Sequence, residues 1–202
     1  MNRKALIVSL VLISLLIGCQ TQHYRVNSEA VPVDSLEVHK QDKADIPARI
    51  QVVNFVVNSV DADYYEEDKA VFRRHNALAI PNALHKSLGD RKAFSEVRRT
   101  ELPEPKLADY VVSGTYDFAD NRENGLFTHS ITVKGTLHVR VARTRDNTQI
   151  LDRDFVEDRT DTGRKNVALH VNYLQGAFIE SITAEIKRCI AQDLNIPSAT
   201  AR

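Results

Sequence analysis

The sequence lacks an excess of charge of either sign, because its 202 residues include 27 lysines and arginines and 27 aspartates and glutamates. This balance gives no global electrostatic case for binding nucleic acid, which favours a strongly basic surface. Familiar chemical motifs are missing too: there is no G-x-S-x-G, no glycine-rich phosphate loop, no H-E-x-x-H and no cysteine pair at metal-ligand spacing. We therefore predict a non-enzymatic chain with no catalytic residue, no cofactor, no metal site and no nucleic-acid partner.

Long hydrophobic runs are also scarce, and one stretch, Ala5–Ile17, stands out. A helix needs roughly 20 residues to cross a bilayer core, so this stretch is too short to span it comfortably. Arg3 and Lys4 precede the stretch, and the small residue Gly18 ends it. This order is typical of a secretory signal peptide, and we predict one over residues 1–18.

The end of the run, Leu16-Ile17-Gly18-Cys19, resembles the lipobox of bacterial lipoproteins. The resemblance implies that a lipid is attached to the Cys19 sulfur, that the signal is cut before Cys19, and that the new amino group is acylated. Several acyl chains, at ~0.8 kcal/mol per buried methylene, anchor a soluble domain firmly to a membrane. Gln20 stands where aspartate commonly favours inner-membrane retention, which implies an outer-membrane lipoprotein that faces the periplasm. A secreted protein with an accidental cysteine and a short N-terminal membrane anchor are the alternatives.

Cysteine is rare, and the only other one is Cys189. If Cys19 carries a lipid, Cys189 has no intramolecular partner. An oxidising compartment disfavours exposed free thiols, and Cys189 lies within the apolar stripe of a predicted helix. We therefore predict that Cys189 is buried.

Composition divides the chain after the signal peptide into three parts. Residues 19–47 are polar, contain two prolines and show no sustained period, which indicates an acylated N-terminus followed by a flexible tether. Residues 48–196 show the apolar patterns of a periplasmic domain. Residues 197–202 are small or polar, and we predict a disordered tail.

Hydrophobic periodicity predicts the elements of this domain. In Ile131–Val141 the apolar residues share one parity and the polar residues the other, which predicts a strand with one solvent-exposed face. From Val171 to Ile190 the apolar residues recur at intervals of three and four, which predicts a long helix. The other predicted elements are the strands Arg49–Asn58, Phe94–Leu102, Asp109–Phe118 and Gln149–Glu157, a short strand Tyr24–Val26, and a segment Ala70–Leu88 that is helical in part, with the helix placed at Pro81–Leu88.

The order of these elements predicts an α+β fold, with a mixed or antiparallel sheet of about four to five strands and two helices packed on one face. Pro81 is placed in the first turn of its helix because proline has no N–H and is tolerated there. Asp158–Lys165 is predicted to be a polar loop because it contains no apolar residue.

Charged residues give few binding candidates. His138 lies on the polar parity of its strand, so we expect a solvated side chain. Acids cluster from Asp152 to Asp161 with arginines interleaved, which favours self-neutralising surface charge over a cation site. The pair Arg98-Arg99 is expected on a wet face, with contact to a partner as the alternative. The seven dispersed histidines are His23, His39, His75, His85, His129, His138 and His170.

The order of lipobox, polar tether, buried strand, "AFSEVRR", "ADYVVSGTYDF", a "DNTQIL" hairpin and a terminal helix is similar to the ABC-type transport auxiliary lipoproteins. It also resembles the penicillin-binding-protein activator lipoproteins. The first resemblance implies a binding or assembly component of an envelope transport machine, with a membrane, other envelope proteins and a homo-oligomeric copy as partners. The second implies an activator of a peptidoglycan synthase. An enzyme acting on envelope substrates is a third class, and a deep pocket lined by paired acids or by a histidine–acid couple would favour it.

Overall fold

The structure, a computed structural model, describes residues 32–33, 36–62, 65–124, 129–162 and 167–196. The signal peptide, Cys19, the strand Tyr24–Val26 and the tail from residue 197 were predicted for parts of the chain outside these ranges. The elements in chain order are β1 His39–Lys40, β2 Ile46–Val52, β3 Val56–Asp61, α1 Glu66–Asp90, β4 Phe94–Arg99, β5 Tyr110–Asn124, β6 His129–Arg143, β7 Gln149–Thr162 and α2 Val167–Asp193.

The seven strands form one mixed sheet in the order β1-β4-β2-β5-β6-β7, and β3 also pairs with β5. β2 runs parallel to β4 and β5, whereas β5, β6 and β7 form an antiparallel meander. Both helices lie on the same face, because Phe72 of α1 and Phe178 of α2 both contact the ring of Tyr116 on β5. The predicted α+β class with two helices on one face is therefore confirmed.

The prediction of four to five strands is wrong, for two local reasons. The two-residue strand β1 pairs with β4 and has no periodic pattern that could reveal it. The predicted strand Arg49–Asn58 is interrupted: Val52 pairs with Val112 and Val56 with Thr115, so this chain takes one residue more than β5 over the same step. The extra residue breaks the strand into β2 and β3, in the manner of a bulge.

Helix α1 runs through Pro81 rather than starting there, so the predicted helix Pro81–Leu88 is too short. Proline inside a helix leaves the carbonyl four residues earlier without its usual donor. Here that carbonyl belongs to Ala77, and it accepts a hydrogen bond from the Phe55 N–H at 3.3 Å. A donor from the loop between β2 and β3 therefore replaces the missing helical one.

Part of the predicted tether belongs to the sheet. His39 and Lys40 pair with Val97 and Glu96 of β4, and β2 already begins at Ile46, which is 1% exposed. Pro47 is tolerated in β2 because the β2–β4 register shifts between Ile46 and Arg49. Before residue 32 the tether stays a prediction.

Cys189 lies in the core, with 7% of its surface exposed, which confirms the prediction that it is buried. Burial raises the pKa of its thiol. The thiolate is the reactive form of cysteine, so this environment keeps Cys189 in the unreactive thiol form.

The end of α2 is tied to the sheet by Asp193. The Tyr110 hydroxyl donates to Asp193 Oδ2 at 2.6 Å, and Arg143 Nη1 donates to Asp193 Oδ1 at 3.1 Å. Burial, and then the hydrogen bond to Asp193, raise the pKa of Tyr110.

We expect Tyr110→Phe to lower the free energy of unfolding by about 1–2 kcal/mol, because a hydrogen bond to a charged acceptor is lost from a buried site. Urea denaturation of the purified protein measures this change. Tyr65→Phe is the control, since Tyr65 is 60% exposed and a change within about 0.5 kcal/mol is expected. Equal effects of the two substitutions would contradict the prediction.

Candidate functional site

The face of β6 and β7 that points away from the helices is exposed. We call it the open face and define it by eight outward side chains. In β6, Lys134 and Arg140 are exposed and Thr136 and His138 are half-buried, whereas in β7 all four are exposed. The eight residues are Lys134, Thr136, His138 and Arg140 of β6 and Asp152, Asp154, Val156 and Asp158 of β7.

The two strands of the open face carry opposite charges. Lys134 lies opposite Asp158, His138 opposite Asp154, and Arg140 opposite Asp152. The remaining pair is uncharged, because Thr136 lies opposite Val156. Such cross-strand pairs are the units by which neighbouring strands recognise each other. The outward side of β6 is therefore basic, and that of β7 is acidic.

His138 lies between two carboxylates rather than in open solvent, so the expectation of a solvated side chain is wrong. Its Nδ1 is 2.6 Å from Asp154 Oδ1 and its Nε2 is 2.7 Å from Asp152 Oδ1. The Nε2 atom is close to this oxygen, but the geometry is not that of a hydrogen bond. Arg140 Nε also donates to Asp152 Oδ1, at 3.3 Å.

Asp152 and Asp154 are not neutralised by Arg153, the arginine between them, which corrects the expectation from the sequence for these two acids. Successive residues of a strand point to opposite faces, so Arg153 lies on the helix side while Asp152 and Asp154 lie on the open face. Arg153 Nη1 is 3.5 Å from Glu185 of α2, and its guanidinium lies 5.5 Å from the centre of the Phe155 ring. The predicted loop from Asp158 also begins inside β7, which continues to Thr162.

The side of β7 opposite β6 is a sheet edge, which we call the free edge. Within the described ranges the 14-residue strand β7 pairs only with β6. An edge strand presents unpaired N–H and C=O groups that can pair with another chain. On this strand the apolar side chain of Val156 is 55% exposed.

Arg99 does not lie on a solvent-exposed face as expected, because only 5% of its surface is exposed. It donates to Asn82 Oδ1 at 3.0 Å, to the carbonyls of Val52 and Thr100, and to Asn54 Oδ1. Burial lowers its pKa to about 10, so the guanidinium keeps its charge at neutral pH. Arg99 therefore joins β2, α1 and β4 internally, and most of its donors are already used.

A cleft of about 390 Å³ lies where β2 and β5 begin and α2 ends. Four of its charged groups form two pairs: Arg49 Nη2 is 2.9 Å from Asp109 Oδ1, and Arg143 pairs with Asp193. The described ranges contain no cluster of three or more histidine, cysteine or acidic side chains placed to hold a metal ion. In the same ranges, no helix has the length and apolarity to cross a membrane.

Comparison with known proteins gives a fold but no family. No protein-family model and no curated protein matches the sequence. A Xanthomonas campestris protein of the family DUF330 matches with a TM-score of 0.50 and 11% identity, over 75% of this chain and 91% of that chain. This chain therefore has a fold similar to that of the Xanthomonas protein. At this identity the similarity concerns the fold alone.

Two further solved structures are lipoproteins. A minor lipoprotein from Acinetobacter baumannii matches with a TM-score of 0.37 and 15% identity, over 71% of this chain and 93% of that chain. A lipoprotein from Neisseria meningitidis matches with a TM-score of 0.34 and 13% identity, over 70% of this chain and 99% of that chain.

Proposed function

We propose that this protein is a lipid-anchored, non-enzymatic lipoprotein of the outer membrane that faces the periplasm. In this proposal it binds other envelope proteins as a component of a transport machine that spans the envelope. The lipobox-like sequence before Cys19 supports the anchor, and the similarity in order to ABC-type transport auxiliary lipoproteins supports the machine. The observation that carries the binding role is the free edge of β7, 14 residues long and next to the exposed open face.

Cys19→Ser tests the anchor. We expect loss of acylation, because the sulfur that takes the lipid is gone, and hence an unprocessed or mislocalised chain. Mass spectrometry of the mature N-terminus and fractionation of membranes measure both effects. Cys189→Ser is the matched control, since its thiol is buried and the lipid attaches elsewhere. Unchanged cleavage and membrane retention of the Cys19 variant would overturn the anchor.

Site-specific photo-crosslinking in the native envelope tests the binding role. A photoreactive amino acid replaces Val156, which is exposed at the centre of β7, and Glu180, exposed on α2, serves as the control position. We expect a crosslinked subunit of a transport complex from position 156 only. A peptidoglycan synthase at that position would favour the activator function instead, and equal yields from both positions would contradict docking at β7.

A further inference from the structure

We infer that the free edge of β7 takes an extended segment of the partner protein as an additional strand, and that this segment is basic on its outward side. Its lysines or arginines would lie beside Asp152, Asp154 and Asp158, with a small or apolar residue beside Val156. The inference rests on the proposed function in one respect only: it takes the partner to be an envelope protein.

The backbone of β7 provides the pairing groups. In an antiparallel pair, alternate residues of a strand direct their N–H and C=O groups away from the neighbour. Along the 14 residues of β7, half of these groups therefore point away from β6, in line with the sheet. Addition of an extended segment to such an edge is a recurrent mode of peptide recognition, in which main-chain hydrogen bonds give affinity and side chains give specificity.

The outward charges of β7 specify a basic neighbour, and β6 is the internal example. It places Lys134 opposite Asp158, His138 opposite Asp154, and Arg140 opposite Asp152. A strand added to the free edge lies as far from these carboxylates as β6 does, with directly opposed Cβ atoms about 5 Å away. Carboxylates accept more than one partner, and the side chain of Asp154 is 61% exposed.

On the helix side of β7, Phe155 favours an apolar residue at the position of the incoming segment beside it, whereas Arg153 on the same side is charged. Phe155 is half-buried there and packs against the core. An apolar neighbour would cover the rest of its ring. The expected segment therefore has basic residues on its outward parity and an apolar residue beside Phe155, as β6 has Leu137.

A second copy of β7 is a poor occupant of the free edge. Two copies related by a twofold axis run antiparallel, and an axis at any residue from Asp152 to Asp158 sets acids opposite acids. An axis at Asp154 opposes that residue to itself, one at Val156 opposes Asp154 to Asp158, and one at Glu157 opposes Glu157 to itself. Like charges directly opposite each other destabilise a strand pair. The acids of β7 thus disfavour self-pairing and favour a basic partner.

The test uses the full lipidated chain in vesicles of zwitterionic phosphatidylcholine and a synthetic 11-residue probe. The probe copies residues 132–142, with lysine in place of His138, and is N-methylated along one edge so that it cannot pair with itself. A second peptide carries glutamate at the three basic positions. Fluorescence anisotropy measures binding, and infrared spectroscopy of a ¹³C-labelled probe reports whether it becomes a strand.

We expect the basic probe to bind as a strand at least about tenfold more tightly than the acidic peptide. The triple variant Asp152→Asn, Asp154→Asn, Asp158→Asn should weaken probe binding by a similar factor. The variant Glu37→Gln, Glu67→Gln, Glu180→Gln changes the net charge equally at exposed positions elsewhere and should leave binding unchanged. If the triple asparagine variant fails to fold, the single variant Asp158→Lys replaces it, with an expected loss of at least about threefold.

Equal binding of the two peptides, equal effects of the two triple variants, or no binding would overturn the inference. These outcomes are separate from a failure of the proposed function. If position 156 crosslinks to a transport subunit but the free edge does not prefer the basic probe, the proposed function stands. The recognition of a basic strand is then excluded. If the Cys19 experiment overturns the anchor, the same binding test is made with the purified chain in solution, and we expect the same preference for the basic probe.

Discussion

Gly114→Ala is expected to lower the free energy of unfolding by about 3 kcal/mol, because the site has no room for a methyl group. A Cβ at Gly114 would lie 2.6 Å from the backbone oxygen of His138 and 2.8 Å from Cε2 of the Phe55 ring. The Phe55 ring can shift, but the His138 carbonyl belongs to the ladder between β5 and β6, where Gly114 pairs with Val139. The added methyl group must therefore distort the strand that carries the open face.

Gly176→Ala is the matched control, since the same methyl group at this position of α2 would meet nothing within 4 Å. Alanine favours a helix over glycine by about 0.5–1 kcal/mol, so this variant should be slightly more stable than the parent. Chemical denaturation of both variants measures the difference. Unfolding of Gly114→Ala at the same denaturant concentration as the parent protein would contradict the predicted clash.

Acidification from pH 6.5 to pH 4 is expected to destabilise the fold by about 3 kcal/mol through His85 alone. His85 is 2% exposed, and its Nε2 has no hydrogen-bond partner within the described part of the chain. Burial, together with the nearby His39, lowers the pKa of His85 from 6.5 to about 4. Between these two values the unfolded state binds a proton that the folded state does not. A difference of this size corresponds to about 3 kcal/mol.

Because the pKa of His85 is lower in the folded state, its contribution to stability is complete above pH 6.5 and is lost as the pH falls toward 4. His75 acts in the same direction, since burial lowers its pKa as well. Unfolding curves at several pH values should therefore show a steeper loss for the parent protein than for His85→Gln, which cannot take up the proton. Parallel losses in the two proteins would refute the role of His85.

Local patterns predicted the elements that depend on a single period. The alternation in Ile131–Val141 indicated a strand with one buried and one solvent-exposed face, and the odd-numbered residues from Val133 to Val141 are indeed buried. Pro81 misled the prediction because its cost is removed by a distant donor, the Phe55 N–H, which no local pattern reveals. The break between β2 and β3 likewise depends on the register of β5.

The open face and the free edge were missed because they depend on topology. In the sequence DRDFVEDR two arginines are interleaved with four acids, but the two-residue period of a strand directs Asp152 and Arg153 to opposite faces. The signal was present in that alternation. Which strand lies at the edge could not be read from it, since β6 and β7 are both long and paired, and only the order of the whole sheet leaves β7 outermost.

The small strand β1 gives the domain a defined response to mechanical load. Tension that reaches this strand along the chain acts on His39 and Lys40, which are held by two residue pairs with β4 and by the contact of His39 with His85. If this strand peels away, residues 39–45 form a segment that reaches at most about 25 Å at ~3.5 Å per residue. This segment would lengthen before force reaches β2.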